Sequence, residues 1–194
     1  LENTTTGTSN TAVGKDALEA NTTASNNTAV GFKSLEANTT GYSNTALGKN
    51  TLDSCTTGYL NTMVGNGTGE AVTTGYSNVG IGDNALPTVT TGYQNISIGR
   101  YAGYGATTGN TNTLVGYLCG YAGGASNQIS TGSGNVLLGA YTNLSAGTDS
   151  TSIVIGNSIS GKGTNTAFIG GSSGIYNQAN SSSWNTTSDR RVKK

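Results

Sequence analysis

The chain has 194 residues, enough for one domain, and it carries nine basic residues, nine acidic residues and no histidine. Four of the nine cations fall in the last five residues, so the rest of the chain offers no basic surface for nucleic acid. No apolar run approaches the roughly 20 residues of a membrane-spanning helix. We therefore expect neither a nucleic-acid partner nor membrane insertion.

Catalysis on an external substrate is also not indicated. The commonest general base and metal ligand, histidine, is absent, and no pair of carboxylates recurs near a cleft signal. The two cysteines, Cys55 and Cys119, are too few for a disulfide framework or a thiolate metal site, so we predict two small buried or half-buried thiols. The sequence predicts no cofactor and no metal.

A pentapeptide that ends in glycine recurs along the chain. "NTAVG" at residues 10–14 is followed by six related pentapeptides in steps of 17 residues, the last being "NTLVG" at 112–116. "NVLLG" comes 23 residues later, "SIVIG" 17 after that, and "TAFIG" at 166–170 another 14 later. The repeat thus defines about ten coils, with a six-residue insertion in the segment around 118–130 ("LCGYAGGASNQIS").

The residue types predict a β-structure for each coil. β-Branched residues in the pentapeptide alternate with others, and a "TTG" turn signal follows. Because the second and fourth positions grow more apolar along the chain, we expect Ile153 and Ile155 to face inward and Val154 outward or toward another chain. A second inward rank is predicted at Leu18, Leu35, Leu52 and Leu86. Each coil should contain a short strand, a glycine corner, a second short strand and a "TTGY" return.

This pattern predicts an all-β fold, a β-solenoid or β-roll whose coils stack with a strand spacing of about 4.8 Å. The thin core, with threonine at many of the positions assigned inward, favours additional burial in an oligomer. Stacking also places equivalent side chains above one another. The leading asparagines should form an amide ladder: Asn10, Asn27, Asn44, Asn61, Asn78, Asn95 and Asn112.

Tyrosines form a second column. Tyr42, Tyr59, Tyr76 and Tyr93 are spaced by 17 residues, and Tyr104 and Tyr121 make a further pair at that spacing. Two interpretations stay open for these six residues. One is a structural ladder that closes the turn or packs against another chain. The other is a surface that binds a host receptor such as a cell-surface glycan or protein. The insertion around 118–130 is a further recognition candidate.

The repeats resemble two groups of fibrous proteins. Units of the form N/S-x-A-x-G resemble the left-handed β-roll heads of trimeric autotransporter adhesins, and the 17-residue "TTGYSNTALG" version looks like repeats in phage tail-fibre proteins. The resemblance covers residues 5–170 and implies a parallel homotrimer on the surface of a virion or otherwise outside the cell.

The ending "SDRRVKK" at 188–194 resembles the first residues of the intramolecular chaperone domain of endosialidase-type tail spikes and fibres. The resemblance implies self-cleavage, with Ser188 as nucleophile, Asp189 as the first released residue and Lys193 as the group that activates Ser188. The sequence ends at Lys194, so cleavage is expected only with a downstream chaperone domain. The opening "LEN" and this ending indicate a piece of a longer protein. A solvated basic tail is the alternative.

Three regions follow from these patterns: a β-roll shaft at 1–170, a cap or connector at 171–187, and the start of a truncated chaperone motif at 188–194. The predicted function is a structural and adhesive fibre, part of a viral tail fibre or spike that takes part in host attachment. One alternative is the head of a bacterial trimeric surface adhesin. A remote alternative is an ice-binding solenoid, because "TT" pairs recur, although adjacent strand residues point in opposite directions.

Overall fold

The computed structural model describes residues 3–121, 123, 128–171, 175–177 and 185–186, and shows an all-β parallel solenoid. One sheet of twelve strands runs along it in chain order. The ten parallel strands are β1 (Thr11–Val13), β2 (Thr28–Val30), β3 (Thr45–Leu47), β4 (Thr62–Val64), β5 (Val79–Ile81), β6 (Ile96–Ile98), β7 (Thr113–Val115), β8 (Val136–Leu138), β9 (Ile153–Ile155) and β10 (Ala167–Ile169). Two further strands follow, β11 (Ile175–Asn177) and β12 (Asn185–Thr186). The prediction of about ten stacked coils is confirmed.

The 17-residue spacing sets the register of the sheet. Ala12 pairs with Ala29, and Ala29 with Ala46, so each residue lies beside its equivalent in the next coil. The last parallel strand, β10, pairs on its other side with β11, which is antiparallel and in turn pairs with β12. The end of the parallel ladder is therefore covered by backbone rather than left as an open edge. Trp184, in the cap or connector predicted at 171–187, lies outside the described residues.

The predicted direction of the strand side chains is wrong. Val154 is fully buried, whereas Ile153 is 40% exposed and Ile155 is half-buried. The same holds along the rod, because the middle residue of nearly every parallel strand is buried and its two neighbours face outward. A three-residue strand places one side chain on one face and two on the other, and the narrow interior accepts the single one.

The interior of four of the first five coils is completed by the leucine rank, as predicted. Leu18, Leu35, Leu52 and Leu86 are fully buried. The segment that carries them is not a second strand, however. It is a series of turns in which these leucines have φ near +50°, and its backbone bonds to the next coil, as from Leu18 N to Ser34 O at 3.0 Å. A left-handed leucine is strained, so its burial must offset a local backbone cost.

The two inward positions of a coil are matched in size. Where the strand contributes Ala46, the turn contributes Leu52, and where the strand contributes Met63, the turn contributes Gly69. A Cβ atom at Gly69 would lie 3.2 Å from the sulfur of Met63. In these two coils the interior has room for one large side chain. In the coil with Ser97 and Gly103 both positions are small, and Leu86 and Leu114 of the adjacent coils fill the space.

The glycine that ends each pentapeptide is required by the close approach of the coils. At Gly48, φ is +141° and a Cβ would lie 2.4 Å from the carbonyl oxygen of Gly65 in the next coil. Any side chain at this corner would separate neighbouring coils, since the Gly65 carbonyl belongs to the backbone and cannot move aside.

Candidate functional site

The tyrosine column forms a continuous stack on the surface. Tyr42, Tyr59, Tyr76 and Tyr93 follow one another with ring centroids 4.8–5.0 Å apart and interplanar angles of 10° or less. The coil spacing produces this arrangement, because backbone bonds such as Leu60 N to Tyr42 O at 3.0 Å hold successive returns in register. Partial desolvation, and then the neighbouring rings of Tyr59 and Tyr93, raise the pKa of the Tyr76 hydroxyl.

Stacking limits what this column can present. Each inner ring has a neighbouring ring over both faces, so only ring edges and hydroxyl groups point to the surroundings. A sugar or an aliphatic ligand would need a free ring face. The geometry therefore favours the structural interpretation for the four stacked tyrosines.

Tyr104 and Tyr121 lie in a different arrangement. Their ring centroids are 4.9 Å apart but the rings are inclined by 57°, and Tyr101 meets Tyr104 at 72° with centroids 5.5 Å apart. Together with Tyr117 and Leu118 these rings line a surface cavity of about 360 Å³. A smaller depression of about 300 Å³ adjoins it and is also lined by Tyr104 and Tyr121.

Arg100 and Asp83 stand beside this aromatic cluster. The guanidinium of Arg100 lies over the Tyr101 ring, 4.6 Å from its centroid, and its Nε donates to Asp83 at 3.2 Å. Hydrogen bonds from Asn66, then Asn84 and Arg100, lower the pKa of Asp83. The nearest cation and anion thus form a pair.

Tyr101 and Tyr117 were not predicted as site residues. Neither belongs to a tyrosine column, because the equivalent positions one coil earlier are Asn84 and Arg100. The sequence signal that could have identified them is the local density of tyrosine, since residues 101, 104, 117 and 121 are all tyrosine. Stacking of adjacent coils converts that density into one cluster.

The asparagine column lies inside the rod and forms a hydrogen-bonded ladder. From Asn27 onward these residues are buried. The side chain of Asn44 accepts from Asn61 N at 3.0 Å and donates to the Gly58 carbonyl at 2.8 Å. Asn135 and Ser152 extend the ladder beyond Asn112. It links the strand corner to the return segment, which is a structural role.

The two outward ranks of the strands make an apolar surface. The fourth pentapeptide positions are valine, leucine or isoleucine in every parallel strand. The second positions are threonine in β1–β4 and β7, alanine in β10, and valine or isoleucine in the other four. Large side chains that are 38–57% exposed there include Val13, Leu47, Ile81, Ile96, Ile98 and Ile153. We call the two ranks the outer strand face. It is a candidate surface for another chain.

The remaining polar groups give no reactive centre among the described residues. Burial raises the pKa of Cys55 to about 12 and that of Cys119 to about 11, which keeps both thiols neutral. Asp16, Glu19 and Glu36 place carboxylate oxygens within 4.8 Å of one another. Lys33 bonds to Glu36 at 2.9 Å and Lys15 lies 3.5 Å from Asp16, so we interpret the group as a surface ion-pair network.

Ser188, Asp189 and Lys193 lie outside the described residues, so the self-cleavage hypothesis stays a prediction. Across the part of the chain that the structure describes, no helix is long and apolar enough to cross a membrane. Comparison with known proteins found no matching family model, no similar curated protein and no similar solved structure. The structure therefore defines the chain by its architecture, as a parallel β-solenoid.

Proposed function

We propose that the chain is a shaft of a homotrimeric viral tail fibre or spike that presents a surface for host attachment. The observation that carries this proposal is the outer strand face. It runs along the whole parallel ladder, and its apolar side chains stay half-exposed in a single chain. The resemblance of the repeats and of "SDRRVKK" to tail-fibre proteins supplies the trimeric state and the viral setting.

The energetics support association through this face. Completing the burial of a half-exposed aliphatic side chain contributes on the order of 1 kcal/mol. Six such side chains on each chain give several kcal/mol per chain before the ordering cost of assembly. Parallel chains in register would also bring equivalent coils of each copy together, which suits a rod with a constant cross-section.

Variants of the outer strand face test the proposal. Ile98→Lys introduces a charge at the middle of the face, and we expect it to dissociate the trimer while the solenoid stays folded. Leu60→Lys is the matched control, because Leu60 is also about half-exposed but lies on the return side of the coil. Light scattering coupled to size exclusion should separate the two variants. Equal masses for parent and Ile98→Lys would contradict the assignment of this face.

A bacterial surface adhesin uses the same type of assembly and remains the alternative within the adhesive class. A coiled coil and a membrane anchor downstream of these repeats in the full gene would favour it. A chaperone domain that begins at Ser188 would favour the viral fibre. Reading the codons that follow Lys194 distinguishes them.

One observation favours a second function, ice binding. Thr11, Thr28, Thr45 and Thr62 are exposed and lie beside one another in register on the parallel sheet. In each "TT" pair, by contrast, one threonine is exposed and the other is half-buried. The exposed rank is interrupted by Val79 and Ile96, which suit a protein interface better. A thermal-hysteresis assay tests ice binding directly. Equal melting and freezing temperatures of ice in the protein solution would exclude it.

A further inference from the structure

We propose that the cavity lined by Tyr101, Tyr104, Tyr117, Leu118 and Tyr121 binds a neutral pyranose residue of a glycan. This inference rests on the proposed attachment function and names its ligand class and its site. It also divides the tyrosines of the rod into two groups. The stacked column supports the fold, and the inclined cluster binds the ligand.

The accessibility of the ring faces distinguishes the cluster from the stacked column. In the stacked column the interplanar angle between Tyr76 and Tyr93 is 1°, so one ring covers the next. In the cluster Tyr101 meets Tyr104 edge to face at 72°, and Tyr104 and Tyr121 are tilted by 57°, so neither pair stacks with one ring flat on the other. The face of an aromatic ring is electron-rich and attracts the partly positive C–H groups that line one side of a pyranose. Phenol hydroxyls at the ring edges can meet the sugar hydroxyls.

The size of the cavity fits a single sugar ring. Its volume of about 360 Å³ is at the small end of the range for small-molecule sites, about 300–1,000 Å³. The adjoining depression of about 300 Å³ shares Tyr104 and Tyr121, so a second sugar unit of the same glycan has a place beside the first. Thr88 and Thr107 line that depression and make it more polar.

The charges beside the cavity select a neutral ligand. An aromatic cluster can also bind an organic cation, but the guanidinium of Arg100 already lies over the Tyr101 ring. An acidic ligand would compete with Asp83, which accepts from Arg100 at 3.2 Å and holds its charge. Because Arg100 and Asp83 already pair with each other, neither offers an unpaired charge to a charged ligand.

The cluster is held by the coil backbone rather than by a free loop. Tyr101 N donates to Asp83 O at 3.0 Å, and Leu118 N donates to Arg100 O at 3.0 Å. Tyr104 N and Tyr121 N each bond to the carbonyl three residues earlier, at 3.3 Å. The rings are therefore placed before the ligand arrives, which reduces the ordering cost of binding.

Saturation-transfer difference NMR on the assembled protein tests the site. The probes are the methyl glycosides of glucose, galactose, N-acetylglucosamine and glucuronic acid at millimolar concentration. We expect saturation transfer to the ring C–H protons of at least one neutral glycoside. Tyr117→Leu, which keeps bulk but removes the ring, should weaken that binding by about tenfold or more, a loss of about 1.4 kcal/mol. Tyr104→Leu is a second variant with the same expectation.

Tyr76→Leu is the matched control, since Tyr76 belongs to the stacked column and has a neighbouring ring over each face. It should bind like the parent. No transfer to any probe, transfer only to the glucuronide, or transfer that Tyr117→Leu and Tyr104→Leu leave unchanged would overturn the proposed site. The mass of the same sample is measured separately, so an intact trimer without sugar binding rejects the site alone, whereas a monomer rejects the fibre assignment.

Discussion

Replacing Asn61 by alanine probes the interior ladder at its centre. Its Oδ1 accepts from Asn78 N at 3.0 Å, and its Nδ2 donates to the Gly75 carbonyl at 2.9 Å and to Asn44 Oδ1 at 3.1 Å. Asn61→Ala removes the acceptor of a buried backbone N–H and the donor to a buried carbonyl. The alanine side chain can replace neither.

The cost follows from these two orphaned groups. A buried polar group left without its partner costs about 1–3 kcal/mol. Asn61→Ala should therefore lower the free energy of unfolding by about 2–6 kcal/mol per chain. Asn66 serves as the control position, because its side chain is exposed and donates a hydrogen bond only to Asp83. Asn66→Ala should change stability by less than about 0.5 kcal/mol.

Urea unfolding followed by far-UV circular dichroism measures both variants against the parent. The expected order is a marked loss for Asn61→Ala and almost none for Asn66→Ala. If the two variants unfold at the same urea concentration, the ladder contributes no more than a surface hydrogen bond. The asparagine ladder would then not be a main interaction that holds the coils together.

Three further predictions concern the core and the chain end. Gly69→Leu should destabilise by about 1–3 kcal/mol through overpacking against Met63 and Leu52, and adding Met63→Ala should recover part of the loss in a double-mutant cycle; additive losses would contradict size matching. Because the pKa of Cys55 is raised from 9.0 to about 12, the unfolded thiol ionises first, so stability should fall as the pH rises above about 9. Between pH 8 and 10.5 this fall should be about 2 kcal/mol smaller in Cys55→Val; equal falls would contradict it. In a product that continues into a chaperone domain, mass spectrometry should find cleavage after Ser188 that Ser188→Ala abolishes, and an uncut parent would contradict the processing hypothesis.

Much of the fold follows from spacing alone. Seven asparagines in steps of 17 residues can stack only if each coil repeats the path of the last, and the leucine rank then has to lie inside. The spacing did not predict which strand side chains point into the interior. Apolar residues at Ile153 and Ile155 suggest burial within the chain, but hydrophobicity alone does not distinguish the interior of one chain from an interface with another.

The candidate site was predicted only in part, for a related reason. Tyr104 and Tyr121 share a column, whereas Tyr101 and Tyr117 join them only because the coil around the insertion brings unequal positions together. Column spacing also cannot distinguish parallel rings from inclined ones. The difference depends on local turns, and it decides whether a ring face is free to bind.

Sedimentation equilibrium of the parent chain at micromolar concentration tests the central claim, that the outer strand face joins three parallel copies. We predict a single species three times the chain mass of 19.4 kDa. A stable species of 19.4 kDa over the same concentration range would contradict it, because the outer strand face would then remain exposed to solvent in a soluble rod.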